Sequence, residues 1–390
     1  MTTPVSRTPL AILAIAVIAF VLLNLRIGFH TDDLKIISDA SDLSYRDLWT
    51  TPFLDRFYRP VVATLVRVSI DSFGMTVLPI RIAQGVLVTA CVYVLVTMLK
   101  ERVDPTARYF AGIYLIASPL TFVSVSLFAV GIGDLIVGLL FLLVVRISLQ
   151  TNDRSLGRSA WSLVAYSIVA LLSKESGVLV AAYSTIECLR RKHWLAAVSI
   201  GGSVLGYLAF RSTFLSRSSF DFPTGYFFQM YSIDELNQEF GHSPGRIHAY
   251  NVIANFANSV LGFPEKGQLR LSVIAPIAVP TTALTTMIIV RYLTIRKCWK
   301  TLAPLVAVLP VNSLIGYGYV RSRIMFVGAF AMAVLVQFAL SDLLVSRDRI
   351  LRIPGRAIAL LIIVLWLCLL AYTLTRLPLQ AAAASTFEKM

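Results

Sequence analysis

The chain has 390 residues, 57% of them hydrophobic and only 14% charged, with a mean hydropathy of +0.76. Soluble proteins carry roughly 25% charged residues, so this composition excludes an ordinary soluble domain. The net charge of +14 would suit a nucleic-acid binder, but nucleic acid is excluded as a partner below by where the basic residues fall.

The apolar residues come in blocks about 20 long, the length that crosses a hydrocarbon core of roughly 30 Å. In chain order these blocks cover residues 9–29, 77–99, 107–126, 129–149, 160–173, 176–190, 194–211, 271–293, 301–318, 323–345 and 357–376. They define an all-α polytopic membrane protein of about 11 spans, a single integral membrane domain over 1–390. The first block follows Arg7 and has no small-residue cleavage site after it, so it reads as an uncleaved span with a cytoplasmic amino terminus. Basic residues gather at Lys100-Glu101-Arg102, Arg154 to Arg158, Arg190-Arg191-Lys192, Arg296 to Lys300 and Arg347 to Arg356. Threading puts all of them on one side, as the positive-inside rule requires. The charge therefore reports orientation and contact with membrane lipids. Cys91, Cys188, Cys298 and Cys368 have no metal or redox spacing.

Two outer loops exceed what connection needs, 30–76 and 212–270, and loops of that size are usually functional or disordered. The first carries Asp32-Asp33 directly after the first span and Tyr58-Arg59-Pro60 before apolar sequence resumes. Within it, Val61 to Phe73 is apolar but carries Arg67 and Asp71, a pattern for an amphipathic helix in the interface. The second loop, with Tyr226-Phe227-Phe228 and Tyr231, is expected to fold over the first as a lid. The fifth and sixth spans are interrupted by Ser173-Lys174-Glu175-Ser176-Gly177, and the last span leaves a short outer tail, 377–390.

Asp32-Asp33-Leu34-Lys35 through Leu48-Trp49, then Phe57-Tyr58-Arg59-Pro60-Val61, resembles the first outer loop of GT-C fold glycosyltransferases. The similarity is to the mannosyltransferases that carry tetratricopeptide repeats, in which an acidic pair follows the first span and Tyr-Arg-Pro-Leu opens an interfacial helix. Gly131-Ile132-Gly133-Asp134-Leu135 resembles that group's Gly-Arg-x-Asp-Leu, with Ile132 at the arginine position. Leu172-Ser173-Lys174-Glu175 resembles its Ser/Cys-Lys-Glu element, and Arg321-Ser322-Arg323 with Met325-Phe326 its Glu-Arg-x-x-Tyr motif. Tetratricopeptide repeats themselves are not seen after the last span.

The resemblance implies a sugar donor linked to a polyprenyl phosphate and an acceptor hydroxyl on a cell-envelope glycan, lipid or protein. Such transfer needs a base for the hydroxyl and positive charge where the phosphate leaves. Asp32 is the expected base with Asp33 beside it, since two adjacent like charges improve one of them as a base. Each also reads as an acidic helix terminus facing water. Arg59, Lys174, Arg321 and Arg323 are the expected donor-phosphate ligands. Arg59 alternatively snorkels at the interface, and Lys174-Glu175 alternatively forms a plain polar break between spans. Arg321 and Arg323 begin a span on the outer side, against the positive-inside trend. Tyr58, Asp134, Glu175 and Arg211 are supporting or substrate-binding candidates. Asp134 lies just inside a span, where a charge is costly and is usually paired or functional: it either holds the sugar or neutralises an arginine. As neighbours on a helix, Lys174 and Glu175 would face different ways.

His30, His242 and His248 lack zinc spacing, and the acidic residues of the first loop lack a calcium-loop pattern. No metal site is predicted, although a divalent cation stays open because some GT-C enzymes use one. The expected location is a bacterial inner membrane with the site on the outer face. Two other classes stay in view: a polyprenyl-linked glycan transporter or flippase, and a non-catalytic assembly protein. Transporters tend to show inverted halves and broken midplane helices, whereas the charges here gather at one membrane level.

Overall fold

Long runs of Leu, Ile, Val and Ala punctuated by Pro, Gly and charged clusters satisfy every backbone group internally only as helices when water is absent. The computed structural model describes residues 7–25, 31–51, 58–117, 128–150, 153–215, 252, 271–315, 326–345, 355–365, 367, 368 and 371, and among these there is no strand. The helices are α1 (Arg7–Asn24), α2 (Thr31–Asp42), a 3-10 turn (Asp47–Trp49), α3 (Pro60–Phe73), α4 (Leu78–Thr97), α5 (Pro105–Ala117) and α6 (Phe128–Gln150). There follow α7 (Asp153–Ser173), α8 (Gly177–Arg190), α9 (Trp194–Leu215), α10 (Leu271–Ile295), α11 (Trp299–Ile315) and α12 (Phe326–Val345). A final apolar helix, α13, covers Gly355–Leu365.

Every expected span overlaps a helix. Among the described residues three helical stretches, Leu78–Thr97, Gly131–Gln150 and Phe326–Val345, are long and apolar enough to cross a membrane. Shorter apolar helices lie at Thr8–Asn24, Ser159–Ser173, Trp194–Phe210 and Gly355–Leu365. The molecular surface agrees with membrane association. On α1, Leu13, Ala16, Phe20 and Asn24 are buried as one stripe, while Ile15, Ile18 and Leu22 on the other side are more than half exposed. Leu195, Val198 and Leu205 on α9 and Leu360 and Val364 on α13 are exposed as well, and large apolar side chains held outward along several helices suit contact with lipid. An open apolar groove of about 570 Å³ between α1 and α4, lined by Val21, Ile82, Gly85 and Tyr93 among others, belongs to this exterior.

At the centre stands α12, 83% buried, and apolar on all sides as a central helix must be. It packs against α5, α6, α10 and α11. Hydroxyls within the helices spend their donors on their own turns: Ser167 donates to Leu163 O at 2.8 Å and Ser173 to Val169 O at 2.7 Å.

A second, smaller core holds α2 and α3 against the bundle. Ile36, Ile37 and Ala40 of α2 meet Val62, Ala63 and Val66 of α3, with Leu48, Ile80 and Ile132 completing the cluster. The expected interfacial helix is therefore α3, with Pro60 at its first position, where the missing N–H costs nothing. Its two charged residues have a definite task. Arg67 pairs with Asp71 at 2.9 Å and donates through Nη1 to the carbonyls of Ala40, Ser41 and Leu43. Those carbonyls belong to the end of α2 and the residue beyond it, so a guanidinium caps one helix from another. Tyr45 donates to Asp71 at 2.8 Å. Arg67 and Tyr45 together hold the Asp71 carboxyl below the usual carboxylate range.

Cations near helix ends also tie helices together. Arg190 and Arg191 both pair with Glu187, and Arg191 reaches the Ser148 carbonyl on α6. Arg291 and Arg296 both pair with Asp342 on α12.

Between α7 and α8 the chain turns within Lys174, Glu175 and Ser176, and Gly177 donates to the Lys174 carbonyl at 2.9 Å. A Cβ on Gly177 would lie 2.1 Å from the Ala170 oxygen, a backbone atom that cannot step aside. Gly177→Ala is expected to destabilise by at least the ~1–3 kcal/mol typical of overpacking. Gly201→Ala, where a Cβ meets nothing within 4 Å, is expected to be neutral or slightly stabilising. Thermal unfolding of the two variants in one detergent checks the contrast, and equal unfolding temperatures would contradict the packing of this turn.

Candidate functional site

Four charged side chains from three distant stretches converge where α3, α6 and the α7–α8 turn meet. Arg59 is the residue before α3, and its carbonyl accepts the first helical bond from Ala63 N at 3.0 Å. Its guanidinium grips Glu175 side-on: Nε lies 3.1 Å from both carboxylate oxygens and Nη2 2.7 Å from Oε2. The two side chains are only 11% and 17% exposed. Next to them Lys174 is ion-paired with Asp134, whose side chain is 1% exposed. Charge-assisted contacts of this kind are the strong ones, and removing one partner from water-excluded surroundings leaves a costly lone charge.

Gly133 makes the convergence feasible. A Cβ there would sit 3.1 Å from the Ser173 carbonyl and 3.1 Å from Val62, so the missing side chain lets the start of α6 close on both α3 and the turn. Burial pushes the Lys174 ammonium down from its ordinary range; Asp134 counters this, and Arg59 lowers it further. Lys174 thus feels both members of the neighbouring pair. Among the described residues the four groups form one electrostatic unit of two cations and two carboxylates. Asp134 Oδ2 has no hydrogen-bond donor among the described residues, which leaves acceptor capacity at the floor of the cluster.

Tyr58 is buried beside this unit. Its hydroxyl donates to the Trp49 carbonyl at 3.0 Å, and its ring packs on Phe210 and Tyr207 of α9, with centroids 4.7 and 6.2 Å away. Burial raises its pKa. Tyr58 therefore locks the approach to Arg59 between the 3-10 turn and α9. Asp32 and Asp33 lie in the first turn of α2, a helix packed on α3 and α6. Arg211 falls in the last turns of α9. Arg321, Arg323, nearly all of the loop 212–270 and the tail 377–390 lie outside the described residues.

Two expectations need revision. Lys174 and Glu175 are not on a helix, so the rule that neighbours face apart does not apply; the turn sends both into one cluster. Asp134 neutralises a lysine, where an arginine was the alternative considered. Sequence reasoning also passed over Arg81, fully buried in α4. It donates to Gln84 Oε1 at 2.9 Å and Asn24 Oδ1 at 3.4 Å, which fixes the end of α1 to α4. The signal was present, because Arg81 is a cation inside an apolar run, the same criterion that singled out Asp134. Among the described residues no three His, Cys, Asp or Glu side chains gather as metal ligands.

No protein-family model, curated protein or solved structure matches the chain.

The Lys174–Asp134 pair has a thermodynamic signature. Lys174→Met and Asp134→Leu are each expected to cost about 3–5 kcal/mol, and the double variant less than either, because it strands no charge. Thermal unfolding of all four proteins closes the cycle. Additive losses would show that the two side chains do not stabilise each other.

Proposed function

We propose that this protein is a membrane glycosyltransferase of GT-C architecture. It moves a sugar from a polyprenyl-phosphate carrier to an acceptor hydroxyl on the outer face of a bacterial inner membrane. The observation that carries this reading is the convergence of Arg59, Glu175, Lys174 and Asp134 beside the helix that bears Asp32 and Asp33. Two cations at the edge of an apolar bundle suit a lipid phosphate, and a nearby acidic pair suits an acceptor hydroxyl. In this scheme Asp32 takes the hydroxyl proton while the acceptor oxygen bonds to the anomeric carbon. The bond from that carbon to the phosphate oxygen breaks, and polyprenyl phosphate departs with the electron pair. Arg59 and Lys174, with Arg321 and Arg323, hold the phosphate as charge grows on it. Asp134 holds Lys174, Tyr58 keeps Arg59 in place, and Arg211 is a further candidate for the phosphate. Attack opposite the leaving phosphate inverts the anomeric centre.

The reading requires about 11 spans with the amino terminus inside and α2–α3 outside. In a background without the native cysteines, Ser72→Cys on α3 should react with an impermeant reagent applied to sealed cells, and Glu101→Cys should not. Labelling of position 101 would put the site on the wrong face.

The chemistry is tested by transfer of labelled sugar from a polyprenyl-phosphate donor to cell-envelope acceptor at varied donor concentration. Asp32→Asn should slow turnover by about 10²–10⁴-fold with little change in donor requirement. Arg59→Ala should both raise the donor requirement and slow turnover. An Asp32→Asn enzyme working at the parental rate would remove Asp32 as the base. A parent that carries the lipid-linked sugar across vesicles without ever releasing polyprenyl phosphate would be a transporter.

A further inference from the structure

We propose that Glu175 is a stand-in for the donor's phosphate: it holds Arg59 while the site is empty, yields it when the lipid phosphate arrives, and returns to expel the product. This rests on the phosphate role assigned to Arg59 under the glycosyltransferase reading.

Three observations carry it. The first is shape. Glu175 presents both carboxylate oxygens to the Nε–Nη2 edge of Arg59, with contacts of 2.7 to 3.1 Å. A phosphate offers a guanidinium the same pair of oxygens, so the two anions compete for one edge of Arg59.

The second is charge. Among the described residues Arg59 and Lys174 are matched by Glu175 and Asp134, in surroundings largely closed to water. A phosphate added to this balanced set leaves excess negative charge in poorly solvated surroundings, which is costly unless one carboxylate withdraws.

The third is which carboxylate withdraws. Asp134 is on α6, with a side chain 1% exposed and Gly133 beside it pressed on Ser173 and Val62. Glu175 is 17% exposed, one bond longer, and sits on the α7–α8 turn. Hydrogen bonds from Lys174 N to the Ala170 carbonyl and from Gly177 N to the Lys174 carbonyl hold that turn's backbone, so Glu175 leaves by rotating its side chain and the main chain stays. The same exchange works in reverse after transfer. The donor phosphodiester carries one negative charge, while the released phosphate monoester carries about 1.5 to 2 at neutral pH. The product therefore binds the cations more tightly than the donor does, and the returning carboxylate speeds its release.

The test uses the full chain in lipid nanodiscs with polyprenyl phosphate as probe and polyprenol of equal length as the uncharged control. If Glu175 is the stand-in, Glu175→Gln binds polyprenyl phosphate about tenfold or more tightly, the worth of one charge-assisted hydrogen bond. Polyprenol binding does not change. In an Arg59→Ala background Glu175→Gln then adds nothing. In turnover the same variant lowers the donor KM and also lowers kcat, with stronger inhibition by added polyprenyl phosphate; a merely structural role would raise KM. Glu175→Asp, which keeps the charge but shortens the reach, moves in the same direction and serves where the amide does not fold. If the parent prefers polyprenyl phosphate to polyprenol but Glu175→Gln binds it equally or more weakly, the stand-in role is overturned and the donor reading survives. If neither parent nor variant prefers polyprenyl phosphate to polyprenol, the donor reading fails, and the stand-in role with it.

Discussion

A charge carried into an apolar helix bundle cannot be left to water, and in this protein that constraint decides where helices meet. Asp134 and Lys174 would each be prohibitive alone. Together they hold the second turn of α6 to the turn between α7 and α8. Once that contact exists, Glu175 is delivered to Arg59, and Arg59 brings the start of α3 with it. Two glycines make room for the arrangement: Gly177 for the turn itself and Gly133 for the approach of α6. The charged cluster is thus a structural keystone before it is anything chemical, and its cations are already committed to carboxylates.

The α2–α3 unit is joined to this keystone by different means. Its contacts are an aliphatic cluster and one guanidinium, Arg67, whose Nη1 is shared among three carbonyls of the α2 terminus. Capping by a neighbouring helix couples the pose of α2 to that of α3. The helix that bears Asp32 and Asp33 is therefore oriented by the helix that follows Arg59. In the glycosyltransferase reading, base and phosphate ligand share one small rigid body. The far ends of the bundle repeat the theme with Glu187 and Asp342, each neutralising two arginines. These arginines near helix ends therefore do mechanical work.

Much of this was legible along the chain. The positions of α1, α3, α4, α6, α12 and the break at Ser173–Gly177 follow from the length of apolar runs, from Pro60 and from the polar interruption, all local properties. Asp134 could be suspected because a charge within a hydrocarbon segment is expensive and is retained for a reason; Tyr58, Arg59, Lys174 and Glu175 stood out only through motif resemblance. The same test applied to Arg81 would have flagged it too; attention to outer-loop motifs alone left it out. What sequence could not supply was partnership. Arg59 and Glu175 are 116 residues apart, and no periodicity links them. Asp134 had two plausible roles, and Lys174 and Glu175 were expected to diverge. Helical register depends on the nearest few residues, so the sequence by itself determined an all-helical, apolar chain and the approximate extent of its long apolar helices, though not the helix Thr31–Asp42 within the first loop. Ion pairing depends on which helices pack and how closely their backbones approach. The tertiary structure alone therefore decided that Lys174 takes Asp134, that Glu175 takes Arg59, and that Arg67 closes the end of α2.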